Sequence, residues 1–141
     1  LWKLSCGMRR PALEHNRKRF YESLAITGVV TCNTVPLTLD YLENGETVIK
    51  TANGIDRGGL AGPAILPIAL DHTEFMMHDV PLGKFGVGCG GVTDAASAAK
   101  FIRAGATLVQ SNTAVRESGE DPDLVRDINI DLLDQFKGLM S

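Results

Sequence analysis

The stretch "GVGCGGVTDAASAAKFIRAGATLVQSNTA", residues 86–114, decides the fold because it contains a complete strand–helix–strand pattern. Its first part is a glycine-rich apolar run that predicts a buried strand. Thr93 is suited to be the N-cap of the next helix, and Asp94 favours the positive end of that helix. Gly105 is suited to end the helix, whose narrow apolar stripe is predicted from Ala95, Ala98, Ala99 and Ile102. The run TLVQSNTA then predicts another strand, so two strand ends are expected close together.

The same alternation extends toward the N-terminus. LWKLSC predicts a strand, and Pro11 lies near the start of a helix. The apolar face of that helix is predicted from Leu13, Phe20, Tyr21 and Leu24. ITGVVTCNT, residues 26–34, predicts a second strand because it is dense in β-branched residues.

The middle of the chain is predicted to be irregular. Asn44-Gly45 indicates a turn and ETVIK a short strand. The glycine cluster RGGLAGP, residues 57–63, then leads into a helix through about Met77. Met76 and Met77 are predicted to lie in the core.

A last helix is predicted near the C-terminus. Asp121 is suited to cap it, with Pro122 at its first position and Gly138 at its end. Its buried face is predicted from Leu124, Val125, Ile128, Leu132 and Phe136.

Four rounds of strand and helix predict an α/β fold with a parallel sheet. The strands are nearly continuous apolar runs, as expected when helices cover a sheet. Four units are compatible with a small open sheet or with half of an eight-stranded barrel. The chain begins at Leu1 and not at Met, which favours half a barrel.

Composition limits the classes of protein. The chain has 141 residues, enough for one domain, and 14 basic against 17 acidic residues, which argues against a nucleic-acid surface. A local basic cluster is interpreted as a solvated helix face: Arg9, Arg10, Arg17, Lys18 and Arg19. No signal peptide or membrane span is evident.

The chain has three widely spaced cysteines, Cys6, Cys32 and Cys89, so neither a disulfide framework nor a zinc site is expected. This pattern fits a reducing compartment, the cytoplasm. No metal site is predicted. The histidines His15, His72 and His78 are predicted to be solvated or partly packed, and none is predicted to be catalytic.

Polar residues at the strand ends suggest a binding site. Gly90-Gly91 and Ser111-Asn112-Thr113 end two neighbouring strands, and ligands of parallel α/β folds bind beyond the carboxyl ends of strands. Glycine lets the backbone approach an anion closely, so the two turns predict a cradle for one phosphate group. The alternative is two tight turns that only connect strand to helix.

The other strand ends leave two interpretations open. The amide of Asn33, beside Thr34, suits a planar ligand with carbonyl and N–H groups, but an Asx-type turn explains it equally simply. Lys3, within the first strand, is suited either to the electron-rich edge of a flavin or to solvent. The glycines of RGGLAG fit a close approach of the backbone to a flat ligand.

The chain resembles the C-terminal half of dihydroorotate dehydrogenases. The resemblance is carried by four segments together and covers essentially residues 1–141: "LWKLS", "VVTCNTV", "RGGLAGPAILPIAL" and the stretch of residues 86–114 quoted above. It implies a (β/α)8 TIM barrel, of which this chain covers roughly the last four units. Because half a barrel leaves two open sheet edges, a homodimer, or a need for the missing N-terminal half, is also predicted.

The resemblance implies FMN as cofactor and the oxidation of dihydroorotate to orotate in pyrimidine synthesis. Carried over by position, the FMN-binding residues are Lys3, Cys32 through its backbone, Gly62, Gly90, Gly91, Asn112 and Thr113. Asn33 and Thr34 correspond to residues that bind the orotate ring, and Cys89 is expected to pack beside the flavin. No residue here matches the family's catalytic base, which lies in the absent half.

Two alternatives stay open. One is another FMN barrel that acts on a pyrimidine ring, such as a domain of dihydropyrimidine dehydrogenase. The other is a non-catalytic half barrel that binds phosphate.

Overall fold

The computed structural model describes residues 1–38 and 57–137, which form six strands and five helices. In chain order these elements are β1 (Trp2–Lys3), α1 (Arg10–Glu22), β2 (Gly28–Val30), β3 (Val35–Thr38), β4 (Arg57–Leu60), a 3-10 turn (Pro63–Ile65), α2 (Leu66–Met77), β5 (Phe85–Cys89), α3 (Ala95–Arg103), β6 (Leu108–Gln110), α4 (Thr113–Glu117) and α5 (Leu124–Lys137). Among the described helices, none is long and apolar enough to cross a bilayer.

The predicted alternation of strands and helices is confirmed. Four strands form one parallel sheet in the order β1-β2-β5-β6, each joined to the next by a helix-containing connection. Lys3 lies opposite Val30, and Cys89 lies opposite Gln110. This register brings the carboxyl ends of all four strands to one edge of the sheet, because parallel strands end on the same side.

A two-stranded antiparallel hairpin, β3 paired with β4, was not expected from the sequence. Half of it is the glycine cluster that was interpreted as an irregular lead into a helix. Gly59 is required there because a Cβ would overlap the side chain of Thr34. The predicted turn at Asn44-Gly45 and the predicted strand ETVIK lie outside the described residues.

Helices pack on the sheet through two buried clusters. The first contains Leu13 and Phe20 of α1 with Met76 and Met77 of α2, which confirms the core position of the two methionines. The second is built around Phe101 of α3, whose ring lies so close to Gly88 that a Cβ there would overlap it. Small residues in β5 therefore allow α3 to pack close to the sheet.

Lys84 lies at the amino ends of the strands, on the side of the sheet opposite their carboxyl ends. Its ammonium donates to the carbonyls of Ser23 and Ile26 at 2.6 and 2.7 Å and lies 5.0 Å from the centre of the Phe20 ring. The loop after α1 is thereby fixed to the strand that follows α2.

Two predicted apolar faces need correction. Leu24 is 99% exposed because α1 ends at Glu22 and the chain turns away. In α5 no described residue is fully buried, and only Ile128 and Leu132 pack partly against the core, whereas Val125 is half exposed.

The start of α5 is also later than predicted. The helix begins at Leu124, so Pro122 precedes it, and the carboxylate of Asp121 accepts from the amide of Asp123 in a turn outside the helix. The predicted end at Gly138 lies outside the described residues.

The N-cap of α3 is Asp94 and not the predicted Thr93. The carboxylate of Asp94 accepts from the amide of Ser97 at 2.7 Å, and the Ser97 hydroxyl accepts from the amides of Thr93 and Asp94. Thr93 therefore donates a hydrogen bond through its backbone amide and does not cap the helix with its side chain. Gly105 follows the helix with φ +93°, as predicted for the residue after its C-cap.

Asp94→Ala is expected to lower the free energy of unfolding by about 1 kcal/mol at neutral pH, because it removes an N-cap. The bond to the Ser97 amide holds the pKa of Asp94 below its usual range. A lowered pKa stabilises the fold above the unfolded-state value, so the contribution is lost as the pH falls through about 4 and below. Urea unfolding at pH 7 and pH 3 measures this contribution. A difference in unfolding free energy between wild type and variant that is the same at both pH values would contradict the role of the charge.

Candidate functional site

A cavity of about 190 Å³ lies at the carboxyl edge of the parallel sheet. Eight of the nine predicted site residues line it: Lys3, Asn33, Thr34, Gly62, Gly90, Gly91, Asn112 and Thr113. The other lining residues are Ala61, Ile65, Cys89, Val92 and Gln110. Residues that lie up to 110 positions apart in sequence therefore meet, because four parallel strands end at this edge.

The turn after β5 consists of two glycines in the left-handed region of φ. Gly90 has φ +115° and Gly91 φ +79°, values that side chains other than glycine rarely adopt. A Cβ on the buried Gly91 would lie 2.8 Å from Cβ of Leu66 and 3.0 Å from the carbonyl oxygen of Gly62. Glycine is needed here both for the turn and for its packing against the chain before α2.

The turn after β6 differs from expectation in its backbone. Asparagine tolerates the left-handed region, but the φ of Asn112 is −133° and lies outside it. Asn112 precedes α4, and Thr113 is the first residue of that helix. Gly62 lies in the segment between β4 and the 3-10 turn. A Cβ on it would be 3.3 Å from Cγ2 of Thr113, so this segment packs against the turn after β6.

Some backbone amides of these two turns have no protein partner. Within residues 1–38 and 57–137, the amides of Gly91, Asn112 and Thr113 donate to no protein acceptor. A backbone N–H that has no protein partner needs water or a ligand. The two turns therefore offer a set of unused donors at one wall of the cavity.

The charge of the cavity favours an anion. Among the described residues that line it, Lys3 is the one charged side chain, and there is no carboxylate. Burial raises the pKa of the Cys89 thiol, and the positive charge of Lys3 offsets part of this effect. Cys89 is therefore a neutral thiol at pH 7, in keeping with the expectation that it packs beside a ligand and does not act as a nucleophile.

Cys32 is the predicted site residue that does not line the cavity. Its side chain forms a disulfide with Cys6, with Cα atoms 4.6 Å apart and both residues buried. The expectation that the chain has no disulfide is therefore wrong. The bond joins the segments that follow β1 and β2, three residues after Lys3 and immediately before Asn33.

The histidines do not contribute to this cavity. His15 is exposed, and His78 is exposed with its Nδ1 2.8 Å from Asp79. His72 is 2% exposed, more deeply buried than predicted, and burial lowers its pKa. The absence of a catalytic histidine stays a prediction.

Gln110 is a lining residue that the sequence analysis missed. It is the last residue of β6 and lies opposite Cys89 in the parallel register. A polar residue directly before the Ser111 turn was the signal available in the sequence. Ala61 and Ile65 were also missed, since they form an apolar wall and carry no chemical signature.

The family model for dihydroorotate dehydrogenase matches residues 3–136. Similar proteins include the mitochondrial dihydroorotate dehydrogenase (quinone) of Schizosaccharomyces pombe, 32% identical over 80% of this chain and 24% of that protein. The dihydroorotate dehydrogenase (quinone) of Haloarcula marismortui is 35% identical over 95% of this chain and 35% of the relative. A third, dihydroorotate dehydrogenase (fumarate) of Trypanosoma cruzi, is 42% identical over 64% of this chain and 28% of the relative.

A crystal structure of dihydroorotate dehydrogenase from Eimeria tenella in complex with ferulenol has the same fold. The TM-score is 0.74 with 20% identity, over 97% of this chain and 34% of that one. The predicted fold class is confirmed: a (β/α)8 barrel, of which this chain contains four units. The chain spans about a quarter to a third of the length of these relatives.

Proposed function

Because this chain belongs to the dihydroorotate dehydrogenase family, we propose that it supplies the FMN-phosphate and pyrimidine-binding part of an enzyme that oxidises dihydroorotate to orotate. The observation that carries the proposal is the convergence of Lys3, Asn33, the two turns and Gly62 on one cavity. In this proposal residues 1–141 form the C-terminal half of an FMN-binding barrel.

The phosphate of FMN is assigned to the two turns. Gly90 and Gly91 present a backbone without side chains, and Asn112 and Thr113 line the same cavity. Amides that have no protein partner suit phosphate oxygens, which accept several hydrogen bonds at once. The absence of a carboxylate among the described lining residues avoids repulsion of the anion.

The size of the cavity fits part of the cofactor. Its volume of about 190 Å³ is below the roughly 300–1,000 Å³ typical of complete ligand sites. The described residues are therefore proposed to enclose the phosphate end and one edge of the ring, with the rest of the barrel in the intact protein completing the pocket. A homodimer, or association with the remaining half, is proposed because half a barrel leaves two open sheet edges, and cytoplasmic location stays a prediction.

Lys3 and Asn33 are assigned to the ring end of the cavity. The ammonium of Lys3 places positive charge at the mouth of the barrel, where it would stabilise an electron-rich ring edge. The amide of Asn33 can donate and accept, so it would bind the carbonyl and N–H groups of the pyrimidine and fix its rotation in the plane. Thr34 adds a hydroxyl beside it.

FMN, when bound, supplies the acceptor for the hydride that leaves dihydroorotate. This chain's residues hold and orient the two rings. The proton that must also leave the substrate needs a base, and the neutral thiol of Cys89 is a poor candidate for one. The base is therefore proposed to come from the remainder of the intact protein.

Purification of the intact protein tests the proposal. We expect flavin absorbance in the purified sample, and orotate formation from dihydroorotate, measured by ultraviolet absorbance. Faster turnover of dihydrouracil than of dihydroorotate would favour an enzyme of the dihydropyrimidine dehydrogenase type. Flavin binding with no turnover of either substrate would contradict the proposed activity.

Asn33→Ala in the intact protein is expected to raise the Kd for orotate about tenfold, the cost of one good hydrogen bond. The Kd for FMN should change less than about threefold, because Asn33 is assigned to the substrate. Asn129→Ala on the exposed face of α5 is the control. Equal weakening of orotate and FMN binding would contradict the assignment.

A further inference from the structure

We propose that Ser111 is a positioning residue that holds the two phosphate-binding turns at their working separation. The inference rests on the proposed function, since it concerns the same FMN phosphate site. Its basis is a hydrogen bond in which the Ser111 hydroxyl donates to the carbonyl of Val92 at 2.8 Å, across 19 positions of sequence.

The bond lies where the sheet no longer holds the two turns together. Pairing of β5 with β6 ends at Cys89 and Gln110. Beyond that register, Ser111 to Val92 is the one recorded hydrogen bond between residues 90–93 and 111–113, within the part of the chain that the structure describes. The spacing of the turns therefore depends on this hydroxyl and on packing.

The far end of the glycine turn is already fixed. The Ser97 hydroxyl accepts from the amides of Thr93 and Asp94 at 3.0 and 3.1 Å, which attaches the chain to the first turn of α3. Val92 is buried, at 4% exposure, and its carbonyl is directed to Ser111. Gly90 and Gly91 therefore lie between Cys89, which pairs with Gln110 of β6, and a following segment that is bonded to both Ser111 and the first turn of α3.

Constraint of this kind raises affinity by lowering the cost of ordering the site when the ligand binds. It acts on the ligand's phosphate and not on its ring. Loss of the hydroxyl should therefore weaken the binding of FMN, which carries the phosphate. The affinity for riboflavin, which lacks the phosphate, should be nearly unchanged. A bond with a merely structural role would lower thermal stability without changing the preference for FMN over riboflavin.

The test measures Kd for FMN and for riboflavin by flavin fluorescence in the intact apoprotein. We expect Ser111→Ala to raise the Kd for FMN about tenfold and that for riboflavin less than about twofold. Ser111→Cys keeps the shape with a weaker donor and should give an intermediate loss, and it decides the question if the alanine variant does not fold.

Ser118→Ala is the matched control. Ser118 also donates to a carbonyl at 2.8 Å, that of Val115, but on the exposed side of α4. This variant should keep the wild-type preference for FMN. An unchanged preference in both Ser111 variants would overturn the positioning role alone, whereas a wild-type protein that binds FMN and riboflavin equally would overturn the phosphate site itself.

Discussion

Gly91→Ala is expected to weaken FMN binding by about a hundredfold, which corresponds to about 2.8 kcal/mol. Two costs combine at this position. Alanine at φ +79° is strained by about 1–2 kcal/mol, and its methyl group would lie 2.8 Å from Cβ of Leu66 and 3.0 Å from the Gly62 carbonyl. The turn must shift to relieve the contact with the backbone, and its amides shift with it.

Gly83→Ala separates these two costs. Gly83 also has a positive φ, +85°, but a Cβ there would meet no atom within 4 Å. This variant should lose about 1 kcal/mol of stability from the backbone alone and keep its affinity for FMN. Titration with FMN and urea unfolding of both variants provide the comparison, and an equal loss of affinity in both would contradict the packing argument.

Reduction of the Cys6–Cys32 disulfide is expected to lower the free energy of unfolding by about 3.5 kcal/mol, the loop-closure value for a separation of 26 residues. The loop that it closes contains α1 and β2. Reduction should also free the segments that carry Lys3 and Asn33, because the bond lies close to both in sequence. The measurement is urea unfolding with and without dithiothreitol.

Cys89→Ser is the control for this experiment, since Cys89 is a free thiol. It should respond to dithiothreitol as the wild type does, while a Cys6→Ser/Cys32→Ser variant should not respond. Alkylation under non-reducing, unfolding conditions should modify one cysteine. Modification of all three thiols, with no effect of dithiothreitol on stability, would contradict the bond.

The order of strands and helices was predictable because hydrophobic periodicity records it directly. Leu13 and Phe20 lie on the face that the spacing of apolar residues defines, and both are buried. Boundaries were less predictable: Thr93 and Asp94 are both good N-cap residues, and the hydrogen bond to Ser97 decides between them. At the C-terminus, Asp121 and Pro122 have the composition of a helix start but form a turn before it.

The site was predictable from its polar strand ends, and the disulfide was not. In a parallel sheet, Asn33, Gly91 and Thr113 must lie at one edge if each follows a strand. The contact between Cys6 and Cys32 depends on the register of β1 against β2, which pairs Lys3 with Val30. An odd number of widely spaced cysteines carries no information about that register, so the reducing compartment inferred from it loses its support.

The hairpin of β3 and β4 was missed for a related reason. Arg57–Leu60 contains two glycines and reads as a loop in isolation. Only the packing of Thr34 against Gly59 shows why a residue without a side chain is needed in a strand. Such a requirement lies in the partner strand and not in the local sequence.

A crystal structure of the intact protein with FMN would locate the phosphate group itself. We expect the phosphate within hydrogen-bonding distance, about 2.7–3.2 Å, of the backbone nitrogens of Gly91 and Thr113. A phosphate bound elsewhere, with these amides turned away from it or covered by side chains, would show that the two turns are not the phosphate site.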